Sequence, residues 1–300
     1  MKNNLLLLVF LMVITCSFCQ KLVNSRTDDT GDFILLGQVN QDVFEMKQMS
    51  WFEEYYEAYH VNDAMVSKIK DSLLNYTITV FFGSWCGDSK RNLPAFIKVL
   101  NSADFPSSQL KMIAVDYSKD AYKKSPTREE LGLNIHRVPT FIFYKNGIEI
   151  NRIVESPKKD FERDINDIIT HNYTSNYKAV SLLHNQLNQH TIDSLIKKDK
   201  KFIRDFSEIL NGSKELNTYG YKLLRSEAPK KACYVFELNS KIFPYQPKVY
   251  NSLANAYFTI KSYHKALINC YKVLQIDPNN KRALEMIEHI KTLKNTPYEN

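Results

Sequence analysis

Hydrophobic and polar positions follow different periods in the two halves of the chain. Between residues 70 and 171, short runs of β-branched and aromatic residues alternate with segments whose apolar positions recur at helical spacing. The run over residues 76–82 carries no charge, as expected of a strand that is buried on both faces of a sheet. The order strand, helix, strand, helix, strand, strand, helix predicts a mixed sheet flanked by helices, which is an α/β fold.

The predicted elements fall into an N-terminal lead-in with helices, residues 20–69, and a sheet-forming domain, residues 70–171. Strands are predicted over residues 33–39, 76–82, 111–116, 140–144 and 148–154. Helices are predicted over residues 51–59, 62–74, 90–100, 127–131 and 158–171. Pro94 lies inside the third of these helices and predicts a kink there.

The C-terminal part overlays on itself with an offset of 34 residues. The matched pairs are Leu216 with Tyr250, Gly220 with Ala254, Ala232 with Ala266, and Pro244 with Pro278. The small residues would let two helices approach closely, and the prolines would end the second helix of each repeat. This period and pattern resemble tetratricopeptide (TPR) repeats, which form an all-α array.

Residues 215–295 are therefore predicted to form TPR-like repeats, closed by a capping helix over residues 282–293. Linking helices are expected in residues 172–214, over residues 177–189 and 191–210. Such an array would recruit a protein or peptide partner.

The first twenty residues predict export. Lys2 precedes an apolar run, residues 5–14, that is too short to span a bilayer and is typical of a secretory signal peptide, residues 1–19. Cys16 and Cys19 raise a lipid anchor as an alternative, although the residue before each is a poor match to the small residue that lipoprotein processing prefers. The expected location is a bacterial periplasm or cell envelope, with no transmembrane segment after cleavage.

Charge and metal-binding residues narrow the function classes. The formal net charge is +7, but Lys and Arg are spread among Asp and Glu, so we do not expect nucleic-acid binding. The seven His residues have no metal-ligand spacing, so neither a metal nor a cofactor is expected. Signal cleavage would leave Cys86, Cys233 and Cys270, an odd number that leaves at least one thiol free.

Three separated motifs resemble the thioredoxin family. They are residues 81–87, reading FFGSWCG, then Val138, Pro139 and Thr140, and then residues 141–147, reading FIFYKNG. They occur in the family's order, with matching predicted elements between them, over about residues 70–171. The resemblance implies a thioredoxin-like fold for this part of the chain.

By this resemblance, Cys86 lies at the N-terminus of a helix, where free backbone amides and the helix dipole stabilise a thiolate. Trp85 beside it, and Val138 with a cis Pro139 on the facing loop, would bind a substrate as an extended peptide. Cys86 is therefore predicted to be catalytic, and Trp85, Val138 and Pro139 are predicted to bind the substrate.

The motif departs from the family at its second cysteine, which is Ser89 here. A second thiol releases the substrate by attacking the mixed disulfide; Ser89 cannot do this, although its hydroxyl could hydrogen-bond the Cys86 sulfur. Val80 stands where the family has a buried Asp that helps proton transfer. Asp88 replaces a proline, and its carboxylate would either destabilise the neighbouring thiolate or cap the helix. The predicted site is thus a monothiol one, with Ser89 and Asp88 beside Cys86.

The other candidate residues have ordinary interpretations. Cys233 and Cys270 lie among small residues on the second helices of the two repeats and are predicted to be core residues. His136 and Arg137 flank the Pro139 loop and could favour acidic partners, although surface exposure is the simpler expectation.

Two functions agree with these residues. In the first, the chain is an exported monothiol thioredoxin-like protein: Cys86 forms mixed disulfides in thiol–disulfide exchange, and the TPR-like repeats recruit a partner. Turnover would then need an external thiol. In the second, the two parts form a non-enzymatic interaction scaffold with a degenerate site, which Ser89 and Val80 favour. A peroxidase is a weaker third hypothesis, because the Thr-containing pattern before the cysteine is missing.

Overall fold

The computed structural model describes residues 24–226 and 228–295. The predicted signal peptide, with Cys16 and Cys19, lies outside these residues. Among the described helices, none is both long and apolar enough to cross a membrane.

The N-terminal part contains the predicted mixed sheet. Its strands in chain order are β1 (Ser25–Thr27), β2 (Phe33–Leu35), β3 (Gly37–Val39), β4 (Thr77–Phe82), β5 (Leu110–Ala114), β6 (Thr140–Lys145) and β7 (Ile148–Val154). Five of them form one sheet in the order β3-β5-β4-β6-β7. The central strand β4 pairs parallel with β5 and antiparallel with β6, and the edge strands pair antiparallel. Strands β1 and β2 form a separate antiparallel pair.

Four α-helices accompany the sheet in this part of the described chain. They are α1 (Ser50–Ala58), α2 (Asp63–Leu73), α3 (Gly87–Ser102) and α4 (Phe161–Ile169). Short 3₁₀ helices span Gln41–Glu45, Lys47–Met49 and Ser107–Gln109. Asn62 caps α2 and Asp160 caps α4, each accepting a hydrogen bond from the backbone three residues ahead. Helix α3 continues through Pro94, so the proline does not end it.

One face of the sheet is covered by these helices. Side chains at alternating strand positions pack with the helices in an apolar core that is rich in aromatic rings. Phe82, Phe141 and Phe143 are fully buried in it. Phe96 of α3 lies 4.3 Å from Phe141 between ring centroids, which joins the helix to the sheet.

The opposite face is closed by the segment of residues 115–139 instead of by helices. Phe81, Ile113 and Ile142 point to this side and form a smaller apolar cluster with residues of the segment. Trp85 and Cys86 are partly buried against the same cluster. The second face is therefore the one that adjoins the cysteine motif.

The helix predicted over residues 127–131 is wrong, because this stretch runs in turns. Arg128 has a φ of +62°, which is incompatible with a right-handed helix. The Glu130 carboxylate accepts hydrogen bonds from the Ser125 backbone at 3.1 Å and from the Arg128 side chain at 2.7 Å. These side-chain bonds replace the helical backbone bonds.

The C-terminal part is an array of helices, as predicted. The helices are α5 (Lys178–Gln189), α6 (Ile192–Ile196), α7 (Asp199–Ser207), α8 (Lys214–Arg225), α9 (Pro229–Ile242), α10 (Pro247–Thr259), α11 (Tyr263–Ile276) and α12 (Lys281–Asn295). Helices α9 and α11 begin and end 34 residues apart. Each ends two residues before a proline, Pro244 or Pro278, so the predicted helix ends are confirmed.

Small residues bring the helices of the array together, as the repeat pattern predicts. A Cβ atom at Gly220 would lie 2.6 Å from the ring of Phe236, so α8 and α9 can approach this closely only at a glycine. Ala232, Ala254 and Ala266 are fully buried at the matching small positions. Cys233 and Cys270 are also buried in the helical core, which confirms their predicted place.

Two other predicted elements are broken in the structure. The strand predicted over residues 33–39 is two strands, because Gly37 has a φ of +75° and the chain changes from pairing with β1 to pairing with β5. The helix predicted over residues 191–210 is α6 and α7, with Lys198 in a non-helical conformation between them. The buried Asp199 carboxylate, which accepts a hydrogen bond from Tyr234 of α9 at 3.0 Å, holds the start of α7.

Helix α8 of the array packs on the segment that closes the second sheet face. Arg137 donates a hydrogen bond of 2.9 Å to the Thr218 hydroxyl of α8. Arg225, at the end of α8, lies 4.3 Å over the ring of Tyr122. The array therefore contacts the polypeptide immediately before Pro139.

Candidate functional site

Cys86 lies where β4 leads into α3. It is the N-cap residue of α3: its backbone is extended, and its carbonyl accepts the first helical hydrogen bond, from Lys90 at 2.9 Å. Its side chain is half-buried, and its thiol donates to the Val138 carbonyl oxygen at 3.4 Å. The sulfur thus lies at the positive end of a 16-residue helix and against the facing loop, as predicted.

Trp85 is fixed beside the thiol by the segment that closes the second sheet face. Its indole Nε1 donates to the Val115 carbonyl at 2.8 Å, and its ring packs against Tyr117 and Tyr122 at centroid distances of 5.4 and 6.4 Å. A Cβ atom at Gly83 would lie 2.6 Å from the indole, so the turn before the motif requires glycine. The indole therefore forms a rigid wall next to the thiol.

Ser89 is fully buried in the first turn of α3. Its hydroxyl oxygen accepts a hydrogen bond of 3.1 Å from the Gly83 backbone N–H, so it supports the turn before the helix. The thiol of Cys86 donates to Val138, and no bond between Ser89 and that sulfur is found among the described hydrogen bonds. Val80 is fully buried in the apolar core, so β4 offers no titratable group at that position.

Asp88 lies in the first turn of α3 and pairs with Arg91 on the same helix. The N-cap residue of α3 is Cys86, whose side chain makes no capping hydrogen bond, and Asp88 is the acidic residue of the first turn. The Asp88 carboxylate pairs with the guanidinium of Arg91.

The loop facing the thiol is held from both sides. The Val138–Pro139 peptide bond is cis, as predicted. The Pro139 carbonyl accepts a hydrogen bond of 2.7 Å from the Glu155 backbone N–H, just after β7. The Thr140 hydroxyl donates to the Arg137 carbonyl at 2.8 Å. The loop that would bind a peptide is therefore held in place by hydrogen bonds from Glu155 and Thr140.

The Glu155 side chain ties this loop to the array. Its carboxylate accepts a hydrogen bond of 2.6 Å from Arg137 and another from the Tyr177 hydroxyl. Burial raises the pKa of Glu155, but the Tyr177 hydrogen bond and the Arg137 charge outweigh it and hold that pKa below its ordinary value. Arg137 also lies 4.9 Å over the Tyr177 ring and bonds Thr218 of α8.

His136 and Arg137 are buried, 2 % and 7 % exposed, so the expectation of surface exposure is wrong. The rings of Tyr177 and Tyr219 cover His136 at centroid distances of 5.6 and 6.2 Å. Burial lowers the pKa of His136 well below its ordinary value, so the ring is neutral at pH 7. Its Nε2 has no hydrogen-bond partner among the described residues. Neither side chain can bind an acidic partner directly.

Lys123 is a buried cation that binds the loop facing the thiol. It is 5 % exposed, and its ammonium donates a hydrogen bond of 2.5 Å to the His136 carbonyl. Burial lowers the pKa of Lys123 to about 8; the Arg137 charge lowers it too, whereas the charges of Cys86 and Glu155 raise it.

Sequence reasoning missed Lys123 and Glu155. Glu155 had a weak signal, because it directly follows the apolar pair Ile153 and Val154 at the end of β7. Lys123 had none, because it lies in a polar stretch where a lysine is ordinarily solvated. It is buried by long-range packing, in which its ammonium reaches the His136 carbonyl and Arg225 of α8 covers the neighbouring Tyr122 ring.

The comparisons with known proteins agree with this geometry. A family model described as Thioredoxin matches residues 38–163. Putative thioredoxin-5 of Dictyostelium discoideum is 30% identical over 105 residues, which are 34% of this chain and 92% of that protein. Thioredoxin H-type of Oryza sativa subsp. indica is 29% identical over 103 residues, 34% of this chain and 75% of that protein. Thioredoxin H-type of Picea mariana is 26% identical over 110 residues, 36% and 80% of the two chains.

Proposed function

Because this chain belongs to the thioredoxin family, we propose that it acts in thiol–disulfide exchange through a single cysteine. Cys86 forms a mixed disulfide with a peptide or a small thiol, and an external thiol completes the cycle. One observation carries this proposal: a half-buried thiol at a helix N-terminus contacts the Val138 carbonyl, and a buried Ser89 stands in place of the second cysteine.

The exchange proceeds in two balanced steps. The Cys86 thiolate attacks one sulfur of a substrate disulfide, a new bond joins that sulfur to Sγ, and the other sulfur leaves as a thiolate that takes a proton from water. An external thiolate then attacks the substrate sulfur of the mixed disulfide, and Cys86 leaves as a thiolate. Each step breaks one disulfide and forms one, so no separate oxidant is needed.

The need for an external thiol follows from the surroundings of the site. The Ser89 hydroxyl is engaged with the Gly83 backbone and cannot displace a disulfide. Cys233 and Cys270 lie in the helical core, where burial raises the pKa of each to about 11. Among the described residues, no second cysteine is therefore placed to release the substrate from Cys86.

We propose that the helical array recruits a protein partner through TPR-like repeats. Its support is a groove of about 560 Å³ lined by the first helices of successive repeats, α8, α10 and α12. Lys248 and Arg282 lie at equivalent repeat positions in this groove, and so do Asn217 and Asn251.

We also propose that the protein is exported to a bacterial periplasm or envelope. The support for export is the apolar run of residues 5–14.

The test is to trap the mixed disulfide. The purified protein is incubated with oxidised glutathione, and intact mass with peptide mapping then locates the adduct. We expect one glutathione on Cys86, removed by added reduced glutathione. Cys86→Ser should give none, and Cys270→Ser, a matched change at a buried cysteine, should leave the adduct unchanged.

Ser89→Cys sharpens the test. The new thiol would lie one helical turn from Cys86, as in a dithiol site, so the glutathione adduct should disappear and an internal disulfide should take its place. If the unmodified chain accumulates no adduct on Cys86, the exchange function is wrong. The alternative, a non-enzymatic interaction scaffold, would then be the better account of the buried Ser89 and Val80.

A further inference from the structure

Lys123 is a buried ammonium group that the exchange steps above do not use. Its side chain is 5 % exposed, and its backbone has a φ of +57°, the left-handed region that residues with a side chain rarely adopt. Two backbone hydrogen bonds with Asp116 and Lys124 frame this turn: Lys123 donates to the Asp116 carbonyl at 2.7 Å, and Asp116 donates to the Lys124 carbonyl at 3.0 Å. The turn therefore directs the lysine inward, in a backbone conformation that is unfavourable for a residue with a side chain.

The ammonium is held in a fixed position. It donates to the His136 carbonyl at 2.5 Å and lies 4.6 Å over the Tyr122 ring. The same ring packs 6.4 Å from Trp85, which flanks the thiol, and is covered by Arg225 of α8 at 4.3 Å. Arg225 of α8 thus covers the Tyr122 ring that contacts Lys123.

The Pro139 loop brings the ammonium and the thiol together. Lys123 bonds the carbonyl of His136, and Cys86 bonds the carbonyl of Val138, two residues further along the same loop. Burial lowers the pKa of Lys123, and the charge of Cys86 opposes this shift, so the two groups are close enough to interact. The other charged or titratable groups that face Lys123 are Arg137, Glu155, Arg225, Lys222 and His136.

We propose that Lys123 is the electrostatic partner of the Cys86 thiolate and favours disulfides that carry a negative charge beside the reacting sulfur. It is a positioning residue, because it acts on the reacting atoms through its charge and forms no bond with them. The inference rests on the proposed function, since it names the class of substrate for the same site: peptides or thiols with a carboxylate next to the sulfur.

The test compares two alkylating reagents of similar size, the anion iodoacetate and the neutral iodoacetamide. Their rates at Cys86 are followed by peptide mass spectrometry of the full chain at pH 7. Lys123→Met should slow both reactions, and it should lower the iodoacetate-to-iodoacetamide ratio by roughly threefold to tenfold. Lys123→Arg should retain most of the ratio, because it keeps the charge.

The neighbouring residue offers a matched control. Lys124 loses the same charge in Lys124→Met, but its ammonium bonds the Asp120 carbonyl on the exposed side, so the ratio should stay as in the unmodified chain. An equal fall of the ratio in both variants, or no fall in Lys123→Met, overturns the proposal. Circular dichroism and the continued protection of Cys233 and Cys270 from alkylation verify that the variants fold.

A second measurement needs no variant. Because burial lowers the pKa of Lys123 to about 8, the reagent ratio of the unmodified chain should decrease between pH 7 and pH 9. A ratio that stays flat over this range overturns the inference. Alkylation also separates the two hypotheses: a Lys123-dependent ratio with no glutathione adduct would refute disulfide exchange while leaving the Lys123–Cys86 pair intact.

Discussion

The two faces of the central sheet are both buried, but by different means. Under the helices, rings such as Phe96 and Phe143 form an apolar core. Under residues 115–139, the buried side chains include Lys123, His136 and Arg137. The cysteine motif and the Pro139 loop adjoin the second face. The first face is therefore an apolar core, and the second places buried charged side chains beside the cysteine motif.

The largest effect should come from the apolar face. Phe143→Ala would remove a fully buried ring and leave a cavity, so we expect a loss of about 3 to 5 kcal/mol in the free energy of unfolding. In the folded fraction, the rate of Cys86 alkylation should not change, because Phe143 belongs to the core on the other face. Urea denaturation and alkylation below the transition measure both quantities.

Ile148 provides the control for this substitution. It lies on β7, in the same hairpin, and is 68 % exposed, so Ile148→Ala should change stability by less than about 0.5 kcal/mol. A Phe143→Ala protein that unfolds normally but alkylates at a different rate would show that the two faces are not independent.

A smaller loss of stability, with a change in chemistry, should follow from the polar face. Arg137→Met would leave the Glu155 carboxylate buried without its cation and Thr218 without its donor, so we expect a loss of about 2 to 4 kcal/mol. Unlike Phe143→Ala, it should also change the alkylation rate of folded Cys86, because Arg137 supports the Pro139 loop.

Arg163 is the matched arginine on the surface. It pairs with Asp160 on α4 and is about half exposed, so Arg163→Met should cost less than about 1 kcal/mol and leave alkylation unchanged. Equal effects of the two arginine substitutions would contradict the special role of the buried one.

The smallest expected effect is a pH dependence of stability. Burial lowers the pKa of His184 in α5 to about 4, so between pH 6.5 and 4 the unfolded chain binds a proton that the folded chain does not. Stability therefore falls as the pH drops through this range. Allowing for partial exposure, His184 should account for roughly 1 kcal/mol of the fall.

Substitution separates this contribution from the rest. His184→Gln should flatten the decline between pH 6.5 and 4, whereas His60→Gln, at an exposed position, should leave it unchanged. Thermal unfolding at a series of pH values measures the slopes. Identical slopes in His184→Gln and the unmodified chain would place the acid sensitivity elsewhere.

Features with a local cause were predicted well from the sequence. The uncharged run of β4, the helix-ending prolines and the small residues at Gly220 and Ala254 each act through near neighbours or a repeating contact. The position of Cys86 and the cis Pro139 followed from the resemblance of the motifs. These features needed no knowledge of how the two parts of the chain meet.

Features that depend on distant contacts were not predictable. His136 and Arg137 were expected at the surface, and they are buried because a helix some eighty residues later covers them. The turn at residues 127–131 reads as a helix, but the Glu130 carboxylate captures the local donors. Helix propensity and the spacing of apolar residues depend on the local sequence, so they predict neither the helix that covers His136 nor the burial of Glu130.

The contact between α8 and the Pro139 loop also defines which part of this chain can be inherited or transplanted as a unit. A boundary after residue 171 would keep the whole sheet, yet it would take Thr218 from Arg137 and Tyr219 from His136. A domain exchange with its boundary there would expose the face around His136 and Arg137, and the protein that receives the sheet domain would have to cover that face. The natural unit of recombination is therefore the sheet domain together with the helices up to α8.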